Sequence, residues 1–338
     1  MKSNTIFRAS ASAAAVALSL GSAVGFAQDT QLYGSLRLSL NAQKVGDANA
    51  RQISDNASRF GMRGSEKLWD GMEAVYSIEY GYSADVLGTN TAIGVRHAAV
   101  GLRSAAWGTF AIGAQDSANP TGSPLYSQVT SIVSFAPGDA GATAISTSMM
   151  NARNRTPNSF GYMTPKMGGL VGRARLYWRG TGADESALRS LDLGLSYDNG
   201  PLYVAVGYGS DASKTGLVDN NFEDKFQVGI RYNFGVVQPY AIYGIDNYVG
   251  TTKTRSEVKW WLVGARVPIG ANSSVVGNYA VREVQANLLG DRKRAQLAYI
   301  YKLSRRTELA AFVDRDGIDS SRTGVAIRTL GLSLRHDY

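Results

Sequence analysis

The chain has 338 residues, 44% of them hydrophobic and only 18% charged, with 38 Gly, 18 Tyr and a formal charge of +8. No Cys and only two His exclude disulfide scaffolds, thiol nucleophiles and His/Cys metal clusters, so neither a cofactor nor a catalytic metal is expected. Such a glycine- and tyrosine-rich composition favours strands and turns over long helices.

In chain order, residues 1–27 read as a secretory signal peptide. Lys2 and Arg8 precede a small, apolar run from Ala9 to Val24 that ends at Gly25, Phe26 and Ala27. Cleavage after Ala27 removes both basic residues and lowers the formal charge from +8 to +6. Residues 28–338 then form one unit.

Beyond that point the pattern has period two. Leu32, Leu36, Leu38 and Leu40 share one parity against Tyr33, Ser35, Arg37 and Ser39. Met72, Ala74, Tyr76, Ile78 and Tyr80 oppose Glu73, Ser77 and Glu79. Ser117 to Ala152 is poor in charge, but Pro120, Pro124 and Pro137 exclude a membrane-spanning helix there. Alternation returns in Leu191 to Tyr197, in Phe226 to Tyr232, and at the end in Leu330, Leu332, Leu334, His336 and Tyr338 against Thr329, Ser333 and Arg335.

Short turn signals (Trp69–Gly71, Ala105–Gly108, Pro165–Gly169, Asn199–Pro201, Phe234–Gly235, Pro268–Ala271, Ser304–Arg306) alternate with longer polar insertions, of which Val45–Ala57 is the first and Asp116–Asn151 the third. The count comes to roughly sixteen strands, an even number that suits an antiparallel transmembrane β-barrel with both termini on one side. A soluble β-sandwich also alternates. Its core would be unusually large here, and Tyr33, Tyr80, Tyr82, Trp107, Trp178, Tyr208, Phe234, Trp260 and Trp261 sit near strand ends as interfacial girdles do.

The run Ser58 Arg59 Phe60 Gly61 Met62 Arg63 Gly64 Ser65 Glu66 resembles the second strand of the trimeric general porins of β-proteobacteria. Collinear matches follow at Val100–Leu102, Gly108–Phe110 with Gly113, Asn158–Ser159 with Tyr162 and Pro165, Gly200–Leu202, Leu303–Thr307 and Gly331–His336. Ala114 departs from the family's usual Arg, Trp69 and Asp70 replace a Gly-containing turn, and Tyr338 replaces a terminal Phe. The resemblance implies a homotrimer in the outer membrane of a Gram-negative bacterium, in contact with lipid and lipopolysaccharide. It also implies that residues 116–151 fold inward as the constriction loop, and that Leu330, Leu332, Leu334, His336 and Tyr338 act as the terminal assembly signal.

A sixteen-stranded all-β barrel is wide enough to hold an aqueous channel. Arg37, Arg59, Arg63, Arg103, Arg153, Arg155, Arg173 and Arg175 fall in expected strands and are the candidate basic pore wall, with Asp116 and Asp139 the only acids of the third loop. An anion about 5 Å from one guanidinium gains roughly 3 kcal/mol at an effective dielectric near 20. These residues therefore predict passive diffusion of small solutes and ions with a preference for anions. A channel specific for anionic solutes such as carboxylates or phosphate is the alternative, and a hydrolase barrel a remoter one, since His97 lacks a G-x-S-x-G partner. No nucleic-acid partner is expected of an exported barrel, despite its basic charge.

Overall fold

The computed structural model describes residues 29–338 except 70, 87–92, 117–119, 130–148, 151–154, 179–187, 212–221, 249–256, 284–290 and 319–325. Residues 1–27, read above as a signal peptide, lie outside the described residues.

Among the described residues there are seventeen strands: β1 (Asp29–Val45), β2 (Ala48–Asp55), β3 (Arg59–Trp69), β4 (Met72–Gly81), β5 (Gly94–Ser104), β6 (Gly108–Asp116), β7 (Arg155–Met163), β8 (Leu170–Trp178), β9 (Leu188–Asn199), β10 (Leu202–Asp211), β11 (Phe222–Tyr232), β12 (Gln238–Tyr248), β13 (Glu257–Ile269), β14 (Ser273–Glu283), β15 (Asp291–Lys302), β16 (Thr307–Ile318) and β17 (Ile327–Asp337). From β3 to β17 each strand pairs antiparallel with the next, and β17 returns to β1. On its other side β1 meets β2 along Leu38–Val45 and β3 along Asp29–Ser35. β2 and β3 therefore lie end to end as one wall strand, and seventeen segments make a closed barrel of sixteen staves. Among the described residues every stave is paired on both sides except along β2, which pairs with β1 alone; closure is the condition for strands to sit in lipid without orphaned backbone groups.

The interruption of that stave is built by its own side chains. The Asp55 carboxylate accepts from the N–H groups of Ala57 (2.9 Å) and Ser58 (3.1 Å), while Ala57 takes φ +65°. Asn56 donates its backbone N–H to Arg37 O at 2.8 Å and its side-chain amide to Ser39 Oγ at 3.0 Å. The polar stretch 45–57, expected as an insertion, is thus mostly strand. Gly46, at φ +60°, lets β1 reverse into β2 through two residues, as Gly200, also at φ +60°, does between β9 and β10. β2 lacks an apolar alternation, so period two could not reveal it.

Side chains alternate around the wall as the parity requires. Leu32, Leu40, Ile53, Ile112, Val100, Leu195, Val263, Leu297, Leu330 and Leu332 are all highly exposed on the outer face. In water such a continuous apolar belt would be an aggregation surface; facing hydrocarbon, it is the expected skin of an outer-membrane barrel. Trp260 and Tyr33 correct the girdle assignment: Tyr33 lies on the inner parity with Ser35, its ring under Arg63. Trp261 is exposed and stacks in tilted fashion against Tyr279, whereas Trp260 is buried at 1% exposure on the inner face.

Polar-inside alternation also breaks over the second half of the barrel. Tyr240, Ile242, Trp260, Leu262 and Ala280 form a buried inner cluster with Val129, Met149 and Met150, and Val276, Ala298, Ile300, Ala310 and Phe312 form another. The first cluster is apolar because chain packs on it from inside.

Candidate functional site

Strand register places six of the eight sequence-selected arginines on the inner face. Arg59 stands opposite Ser35, Arg63 opposite Gln31, Arg103 opposite Glu73, Arg173 opposite Gly194 and Arg175 opposite Asp192; Arg37 follows Ser35 by two residues along β1. Arg155 is in β7 opposite Asp116, and both side chains lie outside the described residues, as do Arg153 and Asp139 entirely.

These side chains have different partners, and the difference sets how much charge each offers to the lumen. Arg103 is bound to Glu73 at 2.5 Å, an exposed pair that largely cancels. Arg175 is fully buried, donating to Gln115 O at 2.8 Å and Ser159 Oγ at 3.3 Å. Arg37 donates through Nε to Ser35 Oγ at 2.7 Å, Arg63 through Nε and Nη2 to Gln31 Oε1 at 3.1 and 2.9 Å, and Arg173 to Ser127 Oγ. Arg63 also lies over the Tyr33 ring, 5.1 Å from its centre. Arg37, Arg63 and Arg173 thus hydrogen-bond to neutral acceptors, which leaves their charge uncancelled.

Further inner-face charges lie outside the set selected from the sequence. Arg96 binds Glu79 at 2.5 Å, and Arg335, the register partner of Arg37, binds Asp337 at 2.6 Å. Arg282 pairs with Asp246 at 2.7 Å, and Arg292 with Asp316 at 2.5 Å. Arg294 pairs with Asp314, which also accepts from Gln296 at 2.8 Å. Lys225 is buried on the inner face opposite Asp246. A signal existed for one group: Arg292 and Arg294, two apart, precede Asp314 and Asp316, two apart, so a hairpin of that length brings like parity together. These paired groups contribute little net field, whereas the bank around β1 and β3 remains positive.

Part of the segment between β6 and β7 is described, and it lies against the inner wall. Residues Leu125–Val129 form a short π-helical turn, with Leu125 and Val129 fully buried. The small inner residues of the facing strands make room for it. A Cβ on Gly194 would fall 2.2 Å from Pro124 Cβ, and one on Gly207 would fall 3.0 Å from Leu125 Cδ2. Gln128 donates to Ser196 Oγ at 2.8 Å and to Val171 O at 3.0 Å, while Tyr203 donates its hydroxyl to Gln128 O at 2.8 Å. Farther along, Arg282 donates to Met149 O at 3.0 Å.

At the opposite end of the chain, Leu330, Leu332 and Leu334 are exposed on the outer face, with His336 on the same parity and its Nδ1 2.9 Å from Thr307 Oγ1. Tyr338 pairs with Gly34.

Comparison with known proteins agrees with this architecture. A profile described as Gram-negative porin matches residues 10–321. An outer membrane porin protein of Bordetella pertussis is 28% identical, over 85% of this chain and 85% of its own length. Among solved structures, an anion-selective porin from Comamonas acidovorans superposes with a TM-score of 0.71 at 18% identity, covering 92% of this chain and 99% of that one. The trimer form of OmpT, an outer membrane protein of Vibrio cholerae, gives a TM-score of 0.66 at 14% identity, covering 92% and 99%.

Proposed function

The chain belongs to the Gram-negative porin family, and from that premise we propose that this outer-membrane channel passes small hydrophilic solutes and ions by passive diffusion, with a preference for anions. Its relatives are channels rather than enzymes, and its own wall has the sixteen staves a water-filled barrel needs.

The observation that carries the anion preference is the neutral bonding of Arg37, Arg63 and Arg173. Charges lining a narrow aqueous path decide which ions enter. Arginines neutralised by carboxylates add little, but a guanidinium held by a hydroxyl or amide keeps its field, attractive to an anion by roughly 3 kcal/mol at about 5 Å. Beyond a Debye length of about 8 Å that field is screened, so only the bank beside the path counts. The likeness to an anion-selective porin supports the same sign.

In this reading residues 116–151 are the constriction loop, with Asp116 and Asp139 its acids. Residues 1–27 are the export signal, and Leu330, Leu332, Leu334, His336 and Tyr338 direct assembly into the outer membrane. The channel works as a homotrimer, as the family resemblance implies and as one structural neighbour forms.

A planar-bilayer recording of the purified protein tests the channel, its ion preference and its trimeric state. Conductance steps in groups of three and a reversal potential displaced toward the chloride value in a potassium chloride gradient are expected. Cation selectivity overturns the anion preference, and saturable block by one carboxylate or phosphate solute replaces free diffusion with a specific channel.

A further inference from the structure

Two described stretches of the segment between β6 and β7 hold to the inner wall, and they do so by different chemistry. Leu125–Val129 rests on the wall through apolar contact and through neutral hydrogen bonds of Gln128 and Tyr203. Met149 and Met150, both fully buried, lie against β12, β13 and β14 with Tyr240, Ile242, Trp260, Leu262 and Ala280. Apolar burial has no direction, and Met is unbranched and adaptable, so that cluster attracts the chain without fixing its position along the wall. A directional contact does that. Arg282 Nη1 donates to Met149 O at 3.0 Å.

Arg282 is aimed at that carbonyl because its guanidinium is held on the other side. Nη2 lies 2.7 Å from Asp246 Oδ2 and donates to Tyr248 Oη at 2.8 Å. Register sets Arg282 opposite Trp260 and Trp260 opposite Gly244, so the Arg282 side chain crosses β13 to reach Asp246 and Tyr248 on β12. Asp246 is fully buried and faces a second cation, Lys225, across the β11–β12 pair. A free Arg side chain samples many rotamers, and ordering it opposes any bond it makes. Asp246 and Tyr248 select one rotamer in advance, and the planar fork then presents its remaining nitrogen to Met149.

We propose that Asp246 is a positioning residue of the channel, which by holding Arg282 fixes Met149 and with it the far end of the constriction segment. The inference rests on the reading of residues 116–151 as the constriction loop. Being fully buried, Asp246 meets no passing ion, and its effect on conduction runs through Arg282. Without the carboxylate, Lys225 and Arg282 repel each other, Arg282 turns away, and Met149 keeps only contacts that have no direction. The segment then shifts on the wall, and the aperture takes several sizes where the native chain has one. A hydrogen bond to a charged group shifts such an equilibrium by about ten- to hundredfold.

Single-channel recordings of the purified full chain in planar bilayers test this, with melting curves on the same samples. Asp246→Asn, nearly isosteric, is expected to raise the share of time spent away from the main conductance level by about tenfold or more. Arg282→Lys keeps the charge but loses the fork, and is expected to behave alike. Asp314→Asn breaks the buried pair with Arg294 on β15 and β16, outside the cluster that holds Met149, and is expected to lower the melting temperature while the records stay as quiet as native. A conducting native chain with an equally quiet Asp246→Asn variant overturns the positioning role and leaves the channel reading intact. Asp314→Asn as noisy as Asp246→Asn also overturns it, since loss of any buried charge would then suffice. If Asp246→Asn does not fold, Tyr248→Phe decides, because it removes one hydroxyl from the Arg282 fork and nothing else: visits to other levels several-fold above native support the role, and native records overturn it. A native chain that forms no pore overturns the channel reading and this inference with it.

Discussion

Gly34 and Tyr338 exchange two backbone hydrogen bonds, each donating its N–H to the carbonyl oxygen of the other at 3.1 Å. The Tyr338 ring also occupies the space above Gly34, where a Cβ would fall 2.3 Å from Tyr338 Cζ. The last residue of the chain therefore completes the seam between β17 and β1. Deleting Tyr338 removes both bonds, each worth about 1 kcal/mol net, together with the ring contact. The expected outcome is a lower unfolding temperature and less of the compact, heat-modifiable form on electrophoresis. Tyr338→Phe keeps the bonds and the ring and should match the native chain, while Gly34→Leu should resemble the deletion. A deletion as stable as the native chain would show that the seam closes without its last residue.

The pair Arg294–Asp314 is buried, with side-chain exposures of 8% and 7%. Removing one member strands the other charge in a confined site, at a cost of about 3–5 kcal/mol. Arg294→Ala should lower the midpoint of urea unfolding markedly, as followed by tryptophan fluorescence. The double substitution Arg294→Met, Asp314→Leu should recover most of the loss, because desolvation of two ions offsets much of their attraction. A single variant as stable as the double would mean that water reaches the pair.

Arg63 and Arg175 share the inner parity but differ in surroundings. Arg63 is exposed to the lumen and held by Gln31, so Arg63→Glu reverses a charge beside the path and should move the reversal potential toward the cation side. Arg175 is fully buried against Gln115, and Arg175→Met should instead destabilise the barrel by about 2 kcal/mol, leaving selectivity nearly native. Selectivity measurements on the two variants, with melting curves alongside, separate these effects. The opposite assignment of outcomes would show that burial does not sort the arginines.

Leu125 anchors the described part of the segment after β6, fully buried over Gly207 and Gly209. Leu125→Asp places a charge in that apolar contact, which costs several kcal/mol and should release the segment from the wall. Single-channel records should then show noisier and more variable conductance, while the circular dichroism of the strands stays native. Unchanged conductance would show that this segment does not border the ion path.

Much of this protein is legible in its residues because a strand has one invariant geometric consequence: successive side chains face opposite sides. Leu32, Leu36 and Leu40 against Ser35, Arg37 and Ser39 suffice to assign lipid and lumen, and the alternation of short and long connections suffices for an antiparallel meander. Resemblance through Ser58–Glu66 and the collinear matches named the same barrel. Strand register sets Arg37, Arg59, Arg63, Arg103, Arg173 and Arg175 on the parity opposite the lipid-facing leucines. Parity is a local property, and its limits are local too.

Only the closed structure decided which inward charges remain uncancelled. Arg63 and Arg103 look alike in the chain, yet the register sets one beside Gln31 and the other beside Glu73. Trp260 reads as a girdle residue until Val129, Met149 and Met150 are seen packed with it from inside the barrel. Met149, Asp246 and Arg282 are far apart in the sequence and meet because Met149 packs on the inner wall of β12, β13 and β14. Pairing between distant strands is a long-range property of the fold, and no window of residues carries it.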